Sequence, residues 1–231
     1  MAADIRIKIC GLRRSEDISF VNEAGADYAG FVLTPSRRRV TREEASRLIS
    51  ALRPSVQSVG VFAKESPEEI AQTAAEIGLD GIQLHMDTDP LFWVNLTAAL
   101  RRLGVKPFLW QRIPVPIDAR TAADIEDRIL SFPDLFLPDA LILDTVKGGT
   151  DGGSGVLFPK KPAADFLAAR NVPTERIVLA GGLSPFCVAE AIRGIRPGVV
   201  DVSSGVETNG SKDKEKIFAF VNAVRQLKEE K

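Results

Sequence analysis

The chain has 231 residues, 45% of them hydrophobic, and a formal net charge of -1. That is the composition of a globular protein long enough for one α/β barrel or two small domains. Near-neutral charge gives no electrostatic case for nucleic acid or an anionic membrane. The one cationic run, Arg37-Arg38-Arg39, is too short for a nucleic-acid footprint and suits a ligand clamp or a solvated loop. Two cysteines, Cys10 and Cys187, make no disulfide framework and read as reduced thiols. One histidine and no CxxC pair exclude a multi-histidine or zinc-ribbon metal site. No signal-peptide pattern opens the chain and no apolar run is long enough to span a bilayer, so the expected compartment is the cytoplasm.

The first element is Ile5-Arg-Ile-Lys-Ile-Cys-Gly-Leu12. Its isoleucines alternate with polar residues, so it reads as a strand with Ile5, Ile7 and Ile9 on one face and Arg6, Lys8 and Cys10 on the other. If both faces are covered, Lys8 is an internal charge that needs a partner or a task. Cys10, beside it at the strand tip, is expected to ionise more easily near an ammonium. A helix capped by Ser15 and stopped by Gly25 follows, then an apolar strand from Tyr28 to Leu33. Thr41 and Glu44 form a capping box for the next helix. Val56–Phe62 is the third strand, and Ser66-Pro67-Glu-Glu69 opens another helix with a second box. Gly81–His85 is the fourth strand, Pro90–Leu103 a helix, and Phe108–Ile113 the fifth strand.

Asp118–Leu130 reads as a helix and Ser131–Pro138 as an irregular connection to the sixth strand, Asp139–Asp144. A glycine-rich loop, 148–155, leads to a helix over Ala163–Arg170. Ile177–Ala180 is the seventh strand, ending on Gly181-Gly182, and Ser184-Pro185 is expected to cap a helix to Ile195. Val199–Val202 is the eighth strand, ending on Ser203-Ser204-Gly205, and Asp213–Lys228 is the last helix. Eight strand–helix pairs in strict alternation, with no linker between halves, predict a single (β/α)8 TIM barrel over residues 1–231. An open doubly wound sheet is the alternative.

A barrel carries its chemistry at the C-terminal ends of its strands. There the sequence places Cys10, Arg39, Gln83, His85, Asp144, Gly182, Ser204 and Gly205. Strand parity puts Asp144 on one face with Ala140 and Ile142, and Leu141 and Leu143 on the other. Glycine clusters follow the sixth, seventh and eighth strands, and exposed backbone N–H groups in such turns suit phosphate. A phosphorylated small ligand is therefore expected between a thiol and a carboxyl group, a pair suited to moving protons.

Lys8–Leu12, Pro35–Arg39, Val59–Phe62, Gln83–His85, Leu143–Thr145, Gly152–Gly155, Ala180–Leu183 and Asp201–Glu207 together resemble the phosphoribosylanthranilate isomerase family of tryptophan biosynthesis. The motifs run in family order over nearly the whole chain, and the first and last are specific to that family. The resemblance implies an Amadori rearrangement of N-(5′-phosphoribosyl)anthranilate without cofactor or metal. It implies Cys10 as general base and Asp144 as general acid. It implies Arg39 facing the anthranilate carboxylate, with Lys8, Gln83, His85 and Asp201 lining the substrate pocket. Gly153, Gly155, Gly181, Gly182, Ser204 and Gly205 would hold the phosphate. The chain departs from the family at Met86, at Gln111-Arg112 and at Val156–Pro159. Another phosphosugar isomerase or epimerase, or a non-catalytic phosphosugar-binding relic, are the alternatives. Barrels of this kind occur alone or paired, so a monomer and a homodimer both fit.

Overall fold

The computed structural model describes residues 5–126, 138–147, 150–151 and 158–227. Its strands are short and apolar on both faces, which only a sheet covered on both sides can accommodate. They are β1 (Arg6–Cys10), β2 (Tyr28–Val32), β3 (Gln57–Phe62), β4 (Gly81–Leu84), β5 (Phe108–Pro116), β6 (Ala140–Lys147), β8 (Ile177–Ala180) and β9 (Val199–Val202). All pair in parallel, in the order β5-β4-β3-β2-β1-β9-β8-β6, and β5 also pairs with β6, which closes the barrel. A two-residue β7 (Thr150–Asp151) turns back antiparallel on the end of β6. A small hairpin, β10 (Glu207–Thr208) and β11 (Ser211–Lys212), follows β9.

The helices alternate with these strands: α1 (Ser15–Ala24), α2 (Arg42–Ser50), α3 (Pro67–Ile77), α4 (Pro90–Arg102), α5 (Ala123–Glu126), α6 (Lys160–Ala169), α7 (Val188–Ile195) and α8 (Lys214–Gln226). Both expected capping boxes form. Glu44 N–H donates to Thr41 Oγ1 at 3.1 Å, and Ser66 N–H donates to Glu69 Oε2 at 2.9 Å. Several boundaries differ from expectation, among them the end of β6, which runs on to Lys147, and the start of α6, at Lys160. Ser15 is the first helical residue and Arg14 the cap, held by Asp17, whose carboxylate accepts from the Arg14 N–H and guanidinium. β5 runs on to Pro116 because its whole upper half pairs with β6. Ser184-Pro185 does not start α7; the chain first makes a turn and the helix begins at Val188. Of the helix expected over Asp118–Leu130, Ala123–Glu126 is helical; residues 127–137 and most of the 148–155 loop lie outside the described residues.

Two cores result. The larger lies between sheet and helices and takes Ile7, Ile9, Phe31, Leu143, Phe166, Val200 and Phe220. The smaller fills the barrel with Tyr28, Val59, Trp110, Ala140, Ile142, Val178 and Val199. Parity is as expected on β1 and β6. At the floor Tyr28 and Trp110 pack edge to face with ring centroids 5.0 Å apart, and the Arg6 guanidinium lies 5.2 Å from the Tyr28 ring. Arg225 of α8 ties the chain's ends together, donating to Ile5 O at 3.1 Å and Asp27 Oδ2 at 2.9 Å.

Above this floor sits Lys8, wholly buried. β1 lies beside β9 with Lys8 in register with Asp201, and Lys8 Nζ meets Asp201 Oδ2 at 2.8 Å. Burial works against the ammonium, yet Asp201 and Cys10 outweigh it and the Lys8 pKa is raised. Removing one member of such a pair strands the other charge in a low-dielectric interior. Lys8→Met is expected to lower stability by about 3–5 kcal/mol in urea unfolding, and Lys8→Met/Asp201→Leu by clearly less. A single variant as stable as the wild type would mean the pair is not what holds this layer.

Candidate active site

The C-terminal mouth of the barrel holds a cavity of about 390 Å³. Cys10, Arg38, Gln83, His85, Asp144, Asp201, Gly181, Gly182, Ser203 and Ser204 are among the residues that line it. Cys10 reaches the cavity from the end of β1 with Val32 and Val61 packed around it. It has room because β2 carries glycine beside it: a Cβ on Gly30 would lie 2.8 Å from the thiol sulfur and 3.0 Å from Lys8 Nζ. Burial pushes the Cys10 thiol up, the Lys8 ammonium pulls it back, and Asp201 adds to the rise, so the net shift is upward. Lys8 therefore eases thiol ionisation as expected, but burial outweighs it. Asp201 neutralises the lysine, and desolvation disfavours the thiolate.

Asp144 stands at the end of the inner face of β6, its side chain 17% exposed. Arg112 Nε, from β5, donates to its Oδ2 at 2.8 Å, and His85 Nε2 lies 4.0 Å from the same oxygen. Asp201 and Gln83 also enter the cavity wall. Asp201 Oδ1 and Gln83 Oε1 are buried acceptors with no hydrogen-bond partner among the described residues, an arrangement that costs about 1–3 kcal/mol each unless a donor arrives. Their chemistry suits hydroxyl or amine hydrogens.

Two substrate-binding expectations are corrected. Lys8 does not line the cavity; it is sealed beneath Cys10 and engaged by Asp201. Arg39 is exposed and outside the cavity, because the backbone turns at Ser36, where Arg39 N–H donates to the Ser36 carbonyl at 3.1 Å, and then rejoins Val32 in a β-bridge. Arg37 and Arg38 are the arginines that line the cavity, Arg38 the less exposed of the two. Arg38 Nε and Nη2 donate to Glu207 at 2.7 and 2.9 Å. It passes over Gly11, whose φ of +79° and missing side chain both matter, since a Cβ there would meet Arg38 Cδ at 2.5 Å.

Glu207 and Lys212 were not among the residues singled out in the sequence. The Asn209-Gly210 pair, with both residues at positive φ, makes the two-residue hairpin turn that brings them together. Lys212 Nζ donates to Glu207 Oε1 and to the Ser203 carbonyl, both at 2.9 Å. The hairpin thus joins the Arg38 loop to the end of β9. After β8 and β9, Gly181, Gly182 and Ser204 present a small-residue rim suited to phosphate. Gly205 packs behind it, where a Cβ would meet the Leu183 carbonyl oxygen. Gly153 and Gly155 lie outside the described residues.

A closed (β/α)8 barrel whose mouth sets a thiol and a carboxylate among cations and backbone turns is the frame of an enzyme that moves protons on an anionic small molecule. The family model described as N-(5'phosphoribosyl)anthranilate (PRA) isomerase matches residues 7–223, and the chain belongs to that family. The N-(5'-phosphoribosyl)anthranilate isomerase of Acetivibrio thermocellus is 42% identical over 221 residues, covering 95% of each chain. The crystal structure of phosphoribosyl anthranilate isomerase from Thermotoga maritima is 33% identical and covers 96% of this chain and 100% of its own, with a TM-score of 0.78. Another solved isomerase, in complex with reduced 1-(o-carboxyphenylamino)-1-deoxyribulose 5-phosphate, is 32% identical over 96% of this chain and all of its own, with a TM-score of 0.73.

Glu207 is buried, which works against its charge, but Arg38 and Lys212 more than offset that and bring its pKa down to about 2. A depressed carboxylate contributes stability above its ordinary pKa of 4.5, lost as pH falls through about 2. Glu207→Gln should therefore be less stable than wild type at neutral pH, with the gap narrowing between pH 4.5 and about 2. Urea unfolding across that range checks it; a gap independent of pH would show that the charge is not what stabilises the hairpin.

Proposed function

We propose that the chain catalyses the Amadori rearrangement of N-(5′-phosphoribosyl)anthranilate to 1-(2-carboxyphenylamino)-1-deoxyribulose 5-phosphate, a step of tryptophan biosynthesis. The observation that carries the reading is the presence of Cys10 and Asp144 in the wall of one cavity, with Arg38 and the Gly181-Gly182 and Ser203-Ser204 turns in the same wall. Asp144, as general acid, gives a proton to the furanose ring oxygen. The ring opens as the anthranilate nitrogen forms a double bond to C1′. Cys10, as general base, takes the proton from C2′, and the resulting enolamine gains a proton at C1′ as its O2′–H proton leaves, which gives the aminoketose. Each step is a proton transfer that the chain's own thiol and carboxyl group can carry.

The remaining wall residues divide the ligand between them. Arg38 Nε and Nη2 are engaged by Glu207, which leaves Nη1 for the anthranilate carboxylate. The ribose hydroxyls donate to Asp201 Oδ1 and Gln83 Oε1, unsatisfied buried acceptors whose residues line the cavity. The phosphate lies against the backbone of Gly181, Gly182 and Ser204, with Gly205 packed behind them. His85 serves as a wall beside the acid. The place of action is the cytoplasm, where Cys10 and Cys187, both free, stay reduced. The protein acts as a monomer or a homodimer, and a dimeric Thermotoga maritima relative has been converted to monomers.

Purified protein given fresh phosphoribosylanthranilate should quench anthranilate fluorescence well above the uncatalysed rate. No loss from a folded sample would move the assignment to another phosphosugar. Cys10→Ser and Asp144→Asn should each lose roughly 10²–10⁴-fold in turnover, with substrate binding kept. Either variant at wild-type speed would remove that group from the mechanism.

A further inference from the structure

Arg112 has no part in the roles set out above. It lies on β5, in register with Ile142 and two residues before Pro114, which pairs with Asp144. Its neighbour Gln111 turns elsewhere, its Nε2 donating to the Met86 carbonyl at 2.8 Å and its Oε1 accepting from Thr88 at 3.0 Å. Arg112 does not line the cavity, yet its Nε holds Asp144 Oδ2 at 2.8 Å with the side chain only 15% exposed. The other oxygen, Oδ1, lies beside Gly181, 2.8 Å from where a Cβ there would stand. One carboxylate oxygen is thus anchored by the guanidinium while the second lies beside Gly181 of the phosphate rim.

We infer that Arg112 is a positioning residue for Asp144. It selects the oxygen that faces the ligand and, as a cation at hydrogen-bond distance, sets the pH range in which the carboxyl group is charged. This rests on the reading of Asp144 as the general acid. Among the described residues, the charged and titratable groups around Asp144 are Arg112 from β5 and His85 from the end of β4. The paired residues of β8, Ile177–Ala180, contribute none, and the cavity wall adds Cys10, Asp201, Arg37 and Arg38, with Lys8 beneath. Of these described groups, the guanidinium is the charge at hydrogen-bond distance.

The test is kcat and KM against pH for wild type, Arg112→Ala, Arg112→Lys, Asp144→Asn and Arg112→Ala/Asp144→Asn. Loss of the anchor should lower kcat by about 10- to 100-fold, the scale of a misplaced catalytic group, with KM far less affected. In Arg112→Ala the limb of the profile controlled by Asp144 should move to higher pH. Arg112→Lys should restore that limb without the full rate, since an ammonium keeps the charge but not the Nε geometry. In the Asp144→Asn background the Arg112→Ala change should add little. Wild-type kcat with an unmoved profile in Arg112→Ala, or an equal loss in the Asp144→Asn background, would overturn the inference. If Arg112→Ala does not fold, Arg112→Gln is read by the same criteria. Full activity of Asp144→Asn would instead refute the underlying assignment of the acid.

Discussion

The Lys8–Asp201 ion pair is the constraint on which the rest of the site depends. Both charges lie inside the barrel, one on β1 and one on the adjacent β9, held 2.8 Å apart by strand register. Their neighbours are arranged around them. β2 must carry Gly30, because any side chain would collide with the ammonium or the thiol. Cys10 rests above a cation that is already neutralised, so desolvation governs its proton affinity. Asp201 gives one oxygen to the lysine and keeps the other unsatisfied. A pair needed only for stability could be exchanged for apolar residues of similar volume. Here the same two side chains also shape the cavity floor, and an apolar exchange would leave Cys10 without its balance of charges.

A second tier of order is set by Glu207. Arg38 approaches it from the loop after β2 and Lys212 from across the hairpin, and Lys212 also binds the Ser203 carbonyl at the end of β9. Three separate stretches of chain are thereby fixed by one carboxylate. Arg38 is consequently presented to the cavity as a preset guanidinium rather than a freely rotating one, which reduces the entropy lost when an anion binds it. The ordering is local in sequence only for the hairpin; the Arg38–Glu207 contact spans 169 residues.

The barrel was legible because its signals are strong and periodic: two capping boxes, eight apolar strands, and parity on β1 and β6 that the packing reproduces. The site was legible where it lies on strands. Cys10, Gln83, Asp144 and Asp201 are strand residues, and the pleat alone decides whether they point inward. Arg39 failed because three arginines in a loop have no such period; a turn at Ser36 leaves Arg37 and Arg38 at the cavity and Arg39 outside it. Glu207 and Lys212 could have been found from Asn209-Gly210, a strong hairpin signal. Arg112 could have been found from the alternation Phe108, Trp110, Arg112 along β5. The rise in the Cys10 pKa could not, since it follows first from how deeply the strand tip is buried and then from Asp201, 191 residues away on another strand.

The aromatic floor has a spectroscopic consequence. The chain has two tryptophans. Trp110 belongs to the floor of the barrel, stacked near Tyr28, and Trp93 is buried on α4, its indole N–H donating to Thr88 Oγ1 at 2.9 Å. Neither lines the cavity. Indole emission is therefore set by the integrity of the barrel and its helical coat rather than by contact with whatever occupies the mouth. A chromophore carried by the ligand is then a separate reporter, and the two signals divide the molecule into a scaffold that can be watched unfolding and a chamber that can be watched filling.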